Sequence, residues 1–336
     1  MSKFYNFLKE RMGFDSCENS RKYCQIGHTF CTCTEEFDGI YWFYETDQFI
    51  IDIHDFFIKK ERISDTFPDM SPFMSFSSSY IITGSGESFN PYQTISANSL
   101  YVVDVNSSKH DFKFLLHGNF PYLSVGINFK KQMIDDYLSS KDYKDVNLSD
   151  MFFDTKPVIT NSLEKLAKSI LNCKMVSPAA EIFFEAKAKE WLSITIDAFL
   201  NKQSSPIPYD DVKALENVAN YLNDHYAVDV PQEILEKIAM MSGTKLKNIF
   251  KQQFGLSITE YSQRRRMNIA EVLLLNSSLE IKDIAESVGY SSHSKFSSCF
   301  KKYKGIYPRE VKKLASKYNV HSSCICNTND YENTLK

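Results

Sequence analysis

Several groups of side chains in this sequence have the types and spacing to do chemistry. The most extensive is a polar set placed at helical spacing in two related stretches: Thr244, Lys247, Asn248 and Lys251 in one, His293, Ser294, Lys295, Ser298 and Lys301 in the other. In the first stretch Leu246, Ile249 and Phe250 stand at i, i+3 and i+4 and must face a core, which leaves the polar four on the opposite side. In the second, Phe296, Cys299, Phe300 and Tyr303 form the buried stripe. Ser294, Ser298 and Lys301 are then outermost, with His293 and Lys295 near the helix start. An α-helix fits the major groove of B-form DNA, where asparagine suits adenine, lysine suits guanine or phosphate, and serine adapts to either. One lysine on such a face means only solvation. The set means more, because two stretches repeat it within residues 231–318, where 16 basic residues face 8 acidic ones.

Other candidates carry less. Cys24, His28, Cys31 and Cys33 form a local cluster with metal-ligand chemistry, but no C-x-x-C pair and no second pair at a fixed distance accompanies them, so incidental thiols are the plainer reading. The eight cysteines, including Cys324 and Cys326 in a polar tail, read as free thiols of a cytosolic chain rather than disulfides. Tyr41 to Tyr44 bring unusual aromatic mass to one strand, whose two faces cannot both point inward. Trp42, Tyr44, His54 and His110 are the residues to inspect for a small-molecule site, although a lone histidine is more often a packing residue. Gly84-Ser85-Gly86-Glu87-Ser88 fits neither G-x-G-x-x-G nor G-x-S-x-G and reads as a hairpin turn.

The elements that must position these groups follow from pattern and charge. The 336 residues suffice for two domains. Net charge is -3 overall, but residues 231–318 carry +8 and the remainder -11, a basic module joined to an acidic one. No apolar run is long enough to span a bilayer, and the start has no signal-peptide core, so a cytoplasmic location is expected. Residues 1–36 read as an irregular segment. Strands are expected at 39–44, 49–58, 75–83, 94–105, 112–116 and 122–129, enough for a small barrel or sandwich over 37–138. Residues 139–200 turn helical, with a polar loop over 142–156 and helices from Val158 and Pro178. Ser204-Ser205-Pro206 and Pro208 mark a linker at 201–209, and Asp210-Asp211 opens a helical domain over 210–318, followed by a disordered tail at 319–336.

Within that domain the chain repeats itself. Phe250-Lys251 recurs as Phe300-Lys301, Gly255 as Gly305 and Glu260 as Glu310, all at one offset, while Ile238-Ala239 recurs four residues closer as Ile284-Ala285. Each copy is a short helix, a tight turn and a second helix, and one helix from Ile258 to about Asn276 joins them. Ile284 to Ser292, followed by Phe296, Phe300 to Tyr303, Gly305, Pro308 and Glu310, resembles the tandem helix-turn-helix domain of the AraC/XylS regulators. The resemblance covers about the last third of the chain. Thr244 to Lys247 after Met240-Met241-Ser242-Gly243 is similar to the siderophore-regulator subgroup, which would imply an iron-chelate effector.

The resemblance implies an α+β protein: a cupin-like β effector domain with trailing helices that pair two subunits, then an all-α DNA-binding domain. It implies promoter DNA and RNA polymerase as partners, a small-molecule effector, a homodimer and activation of transcription, with no cofactor and no enzymatic reaction. Arg264-Arg265-Arg266 on the joining helix are expected at phosphate or at acidic residues of the first domain. Two other readings remain: a thiol or metal sensor using Cys24, His28, Cys31 and Cys33, and a cupin-type enzyme, disfavoured because no His-x-His is present.

Overall fold

The computed structural model describes residues 2–17, 20–64, 70–89, 91–105, 113–138, 148–204, 207–277 and 279–318; His110 and the tail over 319–336 lie outside these. The chain divides into two compact units. One gathers Met1–Asp145 and Lys165–Trp191, the other Val146–Glu164 and Leu192–Lys313.

The first unit begins with α1 (Lys3–Glu10), capped by Ser2, whose hydroxyl accepts from the Tyr5 amide. Strands β1 (Asp15–Ser16), β2 (His28–Cys33), β3 (Phe37–Glu45), β4 (Phe49–Ile58), β5 (Arg62–Ser64) and β6 (Phe76–Thr83) follow. Then come β7 (Ser85–Phe89), β8 (Tyr92–Ser96), β9 (Ser99–Asp104), β10 (Phe114–Leu116), β11 (Phe120–Phe129) and helix α2 (Lys131–Leu138). A seven-stranded antiparallel sheet runs β1-β2-β3-β4-β11-β6-β9, and a four-stranded sheet runs β5-β10-β7-β8.

Alternation decides which side chains meet. Along β4 one face carries Ile50, Asp52, His54 and Phe56; the other carries Phe49, Ile51, Ile53 and Phe57, all essentially buried. The second face is covered by the first half of helix α4 (Ala179–Ser204): Phe184 packs on Trp42 and Tyr44 with centroids 5.5 and 5.4 Å apart, and the Trp191 indole donates to Ser78 Oγ at 3.0 Å. The first face meets α1, where Phe4, Tyr5 and Leu8 join Phe30, Tyr41, Phe43, Ile50 and Val103 in one core.

The second unit takes the first part of helix α3 (Leu148–Leu171), then α5 (Tyr209–Asp224), α6 (Gln232–Ala239), α7 (Gly243–Phe254), α8 (Ile258–Asn276), α9 (Ile281–Ser287), α10 (His293–Lys304) and the start of α11 (Pro308–Tyr318). Leu215, Val218, Leu222, Leu235, Ala239, Leu246 and Phe250 close the core of its first half.

Five sequence expectations change. The stretch read as a loop over 142–156 is helical from Leu148, with Pro157 inside α3; Met151, Phe152, Thr155 and Ile159 bury one side, and packing of that stripe overrides the polar composition. Helix α4 likewise continues to Ser204, into the expected linker. The Gly84–Ser88 turn is instead the start of β7, paired with both β8 and β10. The single strand over 94–105 breaks at Ala97-Asn98, where Asn98 takes a left-handed φ of 57°, and β2 adds an ordered strand to the segment read as irregular.

Candidate functional site

The two polar helical faces are built by matching devices. Ser242 caps α7 by accepting from the Lys245 amide, and Ser292 caps α10 by accepting from the Lys295 amide. Gly255 and Gly305 end the same helices at φ of 66° and 79°, left-handed positions that a side chain would strain. Leu246, Phe250, Phe296 and Phe300 are fully buried, whereas Thr244, Lys247, Asn248, Lys251, His293, Ser294, Lys295, Ser298 and Lys301 are all exposed. The helix stripes therefore point as their spacing dictates. Lys301 is also held over the Tyr307 ring, 4.1 Å from its centroid.

The joining helix α8 spends most of its arginines on structure. Arg266 is buried, donates to the Tyr226 carbonyl at 2.6 Å and pairs with Asp229 at 2.6 Å. Arg264 donates to Asn161 Oδ1 at 2.9 Å and lies 3.4 Å from Glu260. Of the three arginines expected near phosphate, Arg265 alone is exposed. Asn161 of α3 also donates to the Gly255 carbonyl at 3.1 Å, so α3 is tied to the turn that ends α7. Further along α8, Lys304 forms a buried ion pair with Glu271 at 2.7 Å and donates to Asn268 Oδ1 at 2.7 Å. Burial pushes the Glu271 carboxyl up, and the Lys304 charge and hydrogen bond partly pull it back.

In the first unit the inner face of the large sheet lines a cavity of about 470 Å³, a size that suits a small molecule. Register places its polar floor: Asp52 stands opposite Gly126, Gly126 opposite Ser79, and Ser79 opposite Tyr101, a row across β4, β11, β6 and β9. The next row on the same face pairs Ile50 with Asn128 and Asn128 with Ser77. Asp52 Oδ2 accepts from Tyr41 at 3.1 Å and from Asn128 at 2.7 Å, with His54 Nε2 at 3.5 Å. Burial pushes the Asp52 carboxyl up, but the His54 charge and the hydrogen bonds from His54, Asn128 and Tyr41 outweigh it and leave the pKa below the ordinary value. Tyr41, buried beside that carboxylate, is pushed well above the usual phenol range. Phe14, Phe37, Phe56, Phe114 and Tyr122 supply much of the wall.

Of the residues selected for a small-molecule site, His54 lines this cavity. Trp42 and Tyr44 lie on the opposite face of β3, where Trp42 is fully buried and donates to the Cys24 carbonyl at 2.8 Å. Sequence reasoning missed Asp52, Ser79, Gly126 and Asn128. The available signal was a carboxylate and a histidine two apart, both on the face opposite Asp55, in the mostly apolar strand Phe49 to Ile58.

The cysteine cluster is not gathered into a ligand set. Cys31 is disulfide-bonded to Cys17, which corrects the expectation of free thiols throughout. Strand alternation turns His28 away from Cys31, and its ring packs between Tyr5 and Phe43 at 5.0 and 5.2 Å. Cys24 is buried and donates to the Met175 carbonyl, while Cys33 is exposed. Among the described residues no group of three or more His, Cys, Asp or Glu side chains is placed to hold a metal ion, and no helix is long and apolar enough to cross a membrane.

Comparison with known proteins bears on the C-terminal region. A family model described as a helix-turn-helix domain matches residues 235–314, which takes in α7, α8, α9 and α10 whole. The HTH-type transcriptional activator RhaR of Mannheimia succiniciproducens is 25% identical over 233 residues, covering 64% of this chain and 84% of that protein. The arabinose operon regulatory protein of Salmonella typhimurium is 27% identical over 121 residues, 34% of this chain and 40% of its own length, so the chain spans less than half of that relative. A solved transcriptional regulator from Chromobacterium violaceum, described as containing an AraC-type DNA-binding domain, aligns at 25% identity with a TM-score of 0.30, covering 31% of this chain and 94% of that one. Residues 235–314 match a helix-turn-helix domain, and the chain is similar there to transcriptional regulators such as RhaR and the arabinose operon regulatory protein, in keeping with its resemblance to the AraC/XylS family.

Proposed function

We propose that the chain is an effector-responsive regulator that binds promoter DNA as a homodimer in the cytoplasm and activates transcription through RNA polymerase. One observation carries the DNA part. Two helices with the same serine cap and the same left-handed glycine end present exposed Thr244, Lys247, Asn248 and Lys251 on one, and His293, Ser294, Lys295, Ser298 and Lys301 on the other. Bases are read by side chains with directional hydrogen bonds, and lysines neutralise phosphate. Asn248 and Lys247 are assigned to base edges, and Lys251, Lys295 and Lys301 mainly to phosphate.

The effector is assigned to the cavity on the inner face of the large sheet, within a sensor domain over 37–138. Helices over 139–200 are assigned to pairing two copies, and residues 210–318 to DNA binding. Activation follows the printed description of the Mannheimia relative. An effector alters DNA occupancy only if it favours one arrangement of the chain over another. Helix α3 is the segment assigned to carry that preference, because Asn161 ties it to Gly255 at the end of α7 and to Arg264 of α8. The test is DNA binding by Asn161→Ala: basal affinity should persist while the response to effector falls. An unchanged response would remove α3 from the path.

A further inference from the structure

We infer that the sheet cavity takes a protonated amine carried on an apolar, ring-bearing body, with Asp52 as its counter-ion. The inference rests on the reading of the cavity as the effector site and adds the ligand class.

Among the described residues lining the cavity, two buried polar atoms have no hydrogen-bond partner, Asp52 Oδ1 and the Tyr101 hydroxyl, and of these the Asp52 oxygen belongs to a carboxylate. Asp52 is 5% exposed, and the donors around it converge on Oδ2, whereas Oδ1 is buried with no hydrogen-bond partner among the described residues. A buried carboxylate oxygen in that state is costly, because its water has been removed and not replaced. The fold sets this oxygen beside a second acceptor. A Cβ at Gly126 would lie 2.3 Å from Asp52 Oδ1 and 2.6 Å from Ser79 Oγ, so both atoms lean over the same glycine backbone. Only a residue without a side chain lets them approach there. A donor reaching this pair from the cavity would satisfy both acceptors, and an ammonium group offers three hydrogens.

Charge favours the ammonium over a neutral hydroxyl. Among the described residues, Asp52 is the only acidic one lining the cavity. Of the basic residues there, Arg62 is matched by Glu36 at 2.8 Å and lies over the Phe37 ring, Arg11 is exposed at the end of α1, and His54 reaches Oδ2 only at 3.5 Å. Asp52 therefore supplies the negative charge of the cavity floor, with His54 beside it. Around it the walls are rings and methionines, including Phe14, Phe56, Phe114, Met70 and Met74. Aromatic faces attract both a cation and a flat apolar body.

The test uses the full chain and three matched series of arylalkyl compounds with one to three rings: primary amines, the corresponding alcohols and the corresponding carboxylic acids. Affinity is read by calorimetry and by the shift in Tm. The amines should bind about tenfold or more tightly than the alcohols, since a charge-assisted hydrogen bond exceeds a neutral one by at least that ratio, and the acids should bind weakest. Asp52→Asn keeps the side-chain shape and removes the charge; it should bring amines and alcohols to within about twofold. Ser79→Ala, which leaves Asp52 in place, should weaken the amines severalfold. Tightest binding by the alcohols or acids, or an amine preference unchanged in Asp52→Asn, overturns the ligand class while leaving the cavity as the effector site. Failure of every series to bind the native chain overturns both.

Discussion

The two helix-turn-helix units share one plan but hold their reading helices by different means. In the first, α7 is anchored by an apolar core, with the half-buried Phe254 ring tilted against Phe250 at 4.5 Å between centroids. In the second, the residue at the position of Phe254 is Lys304, and α10 is anchored to α8 through the buried Glu271 pair. A buried ion pair contributes little net stability but is costly to break, whereas an apolar contact fails gradually. The turns differ too. Before α10 the left-handed residue is Gly289 at φ 85°, and before α7 it is Met240 at φ 52°, 91% exposed. The second unit thus has a conformationally relaxed turn and a charge-locked helix, and the first a strained turn and a greasy helix.

The largest effect should come from breaking the ion pair. Glu271→Ala strands Lys304 and should destabilise the domain by about 3–5 kcal/mol, measured by chemical denaturation. Replacing both partners, Glu271→Leu with Lys304→Met, should recover most of that loss. If the single change is silent, the contrast between the units is wrong. Next in size is Gly255→Ala: the left-handed strain of about 1–2 kcal/mol per residue adds to a collision with the Pro157 carbonyl of α3, which a Cβ there would overlap. Gly305→Ala carries the same left-handed strain at the end of α10.

At the reading faces, Lys247→Ala or Asn248→Ala should cost about 1–3 kcal/mol on the preferred site and relax discrimination there, whereas Lys295→Ala should weaken all DNA alike and reduce the salt slope by about 1. Equal loss on every sequence for Asn248→Ala would place it at phosphate. The smallest change is a gain: Met240→Gly relieves the left-handed turn and should stabilise the domain by about 0.5–1 kcal/mol, net of the entropy glycine adds to the unfolded chain. Thermal melting of the pair Met240→Gly and Gly289→Ala should move in opposite directions.

The DNA-binding unit was readable because its signals are local. A repeat at a fixed offset, apolar stripes at i, i+3 and i+4, and glycine at the ends of α7 and α10 determine those two helices, and the bounds of α8 agree with the expected joining helix. The β-sheet unit was only partly readable, since its cavity is assembled across strands. Asp52, Gly126 and Ser79 are far apart in sequence, and only register brings them into one row. β7 escaped notice because Gly-Ser-Gly-Glu lacks strand propensity and is ordered by two neighbours. Helix α3 was half missed because its polar first turns are stabilised by packing, not composition.

The central claim is that two equivalent helix faces read DNA together, joined by a helix that sets their spacing. It is tested most directly by salt-dependent binding of the full chain to genomic fragments, with the bound fragments sequenced. The account predicts enrichment of sites with two half-elements about 34 Å, or one turn, apart, with affinity falling as salt rises, and loss of one half-element's sequence preference in Asn248→Ala. Binding by a folded chain with no such paired element, or with preference untouched by Asn248→Ala, would contradict it.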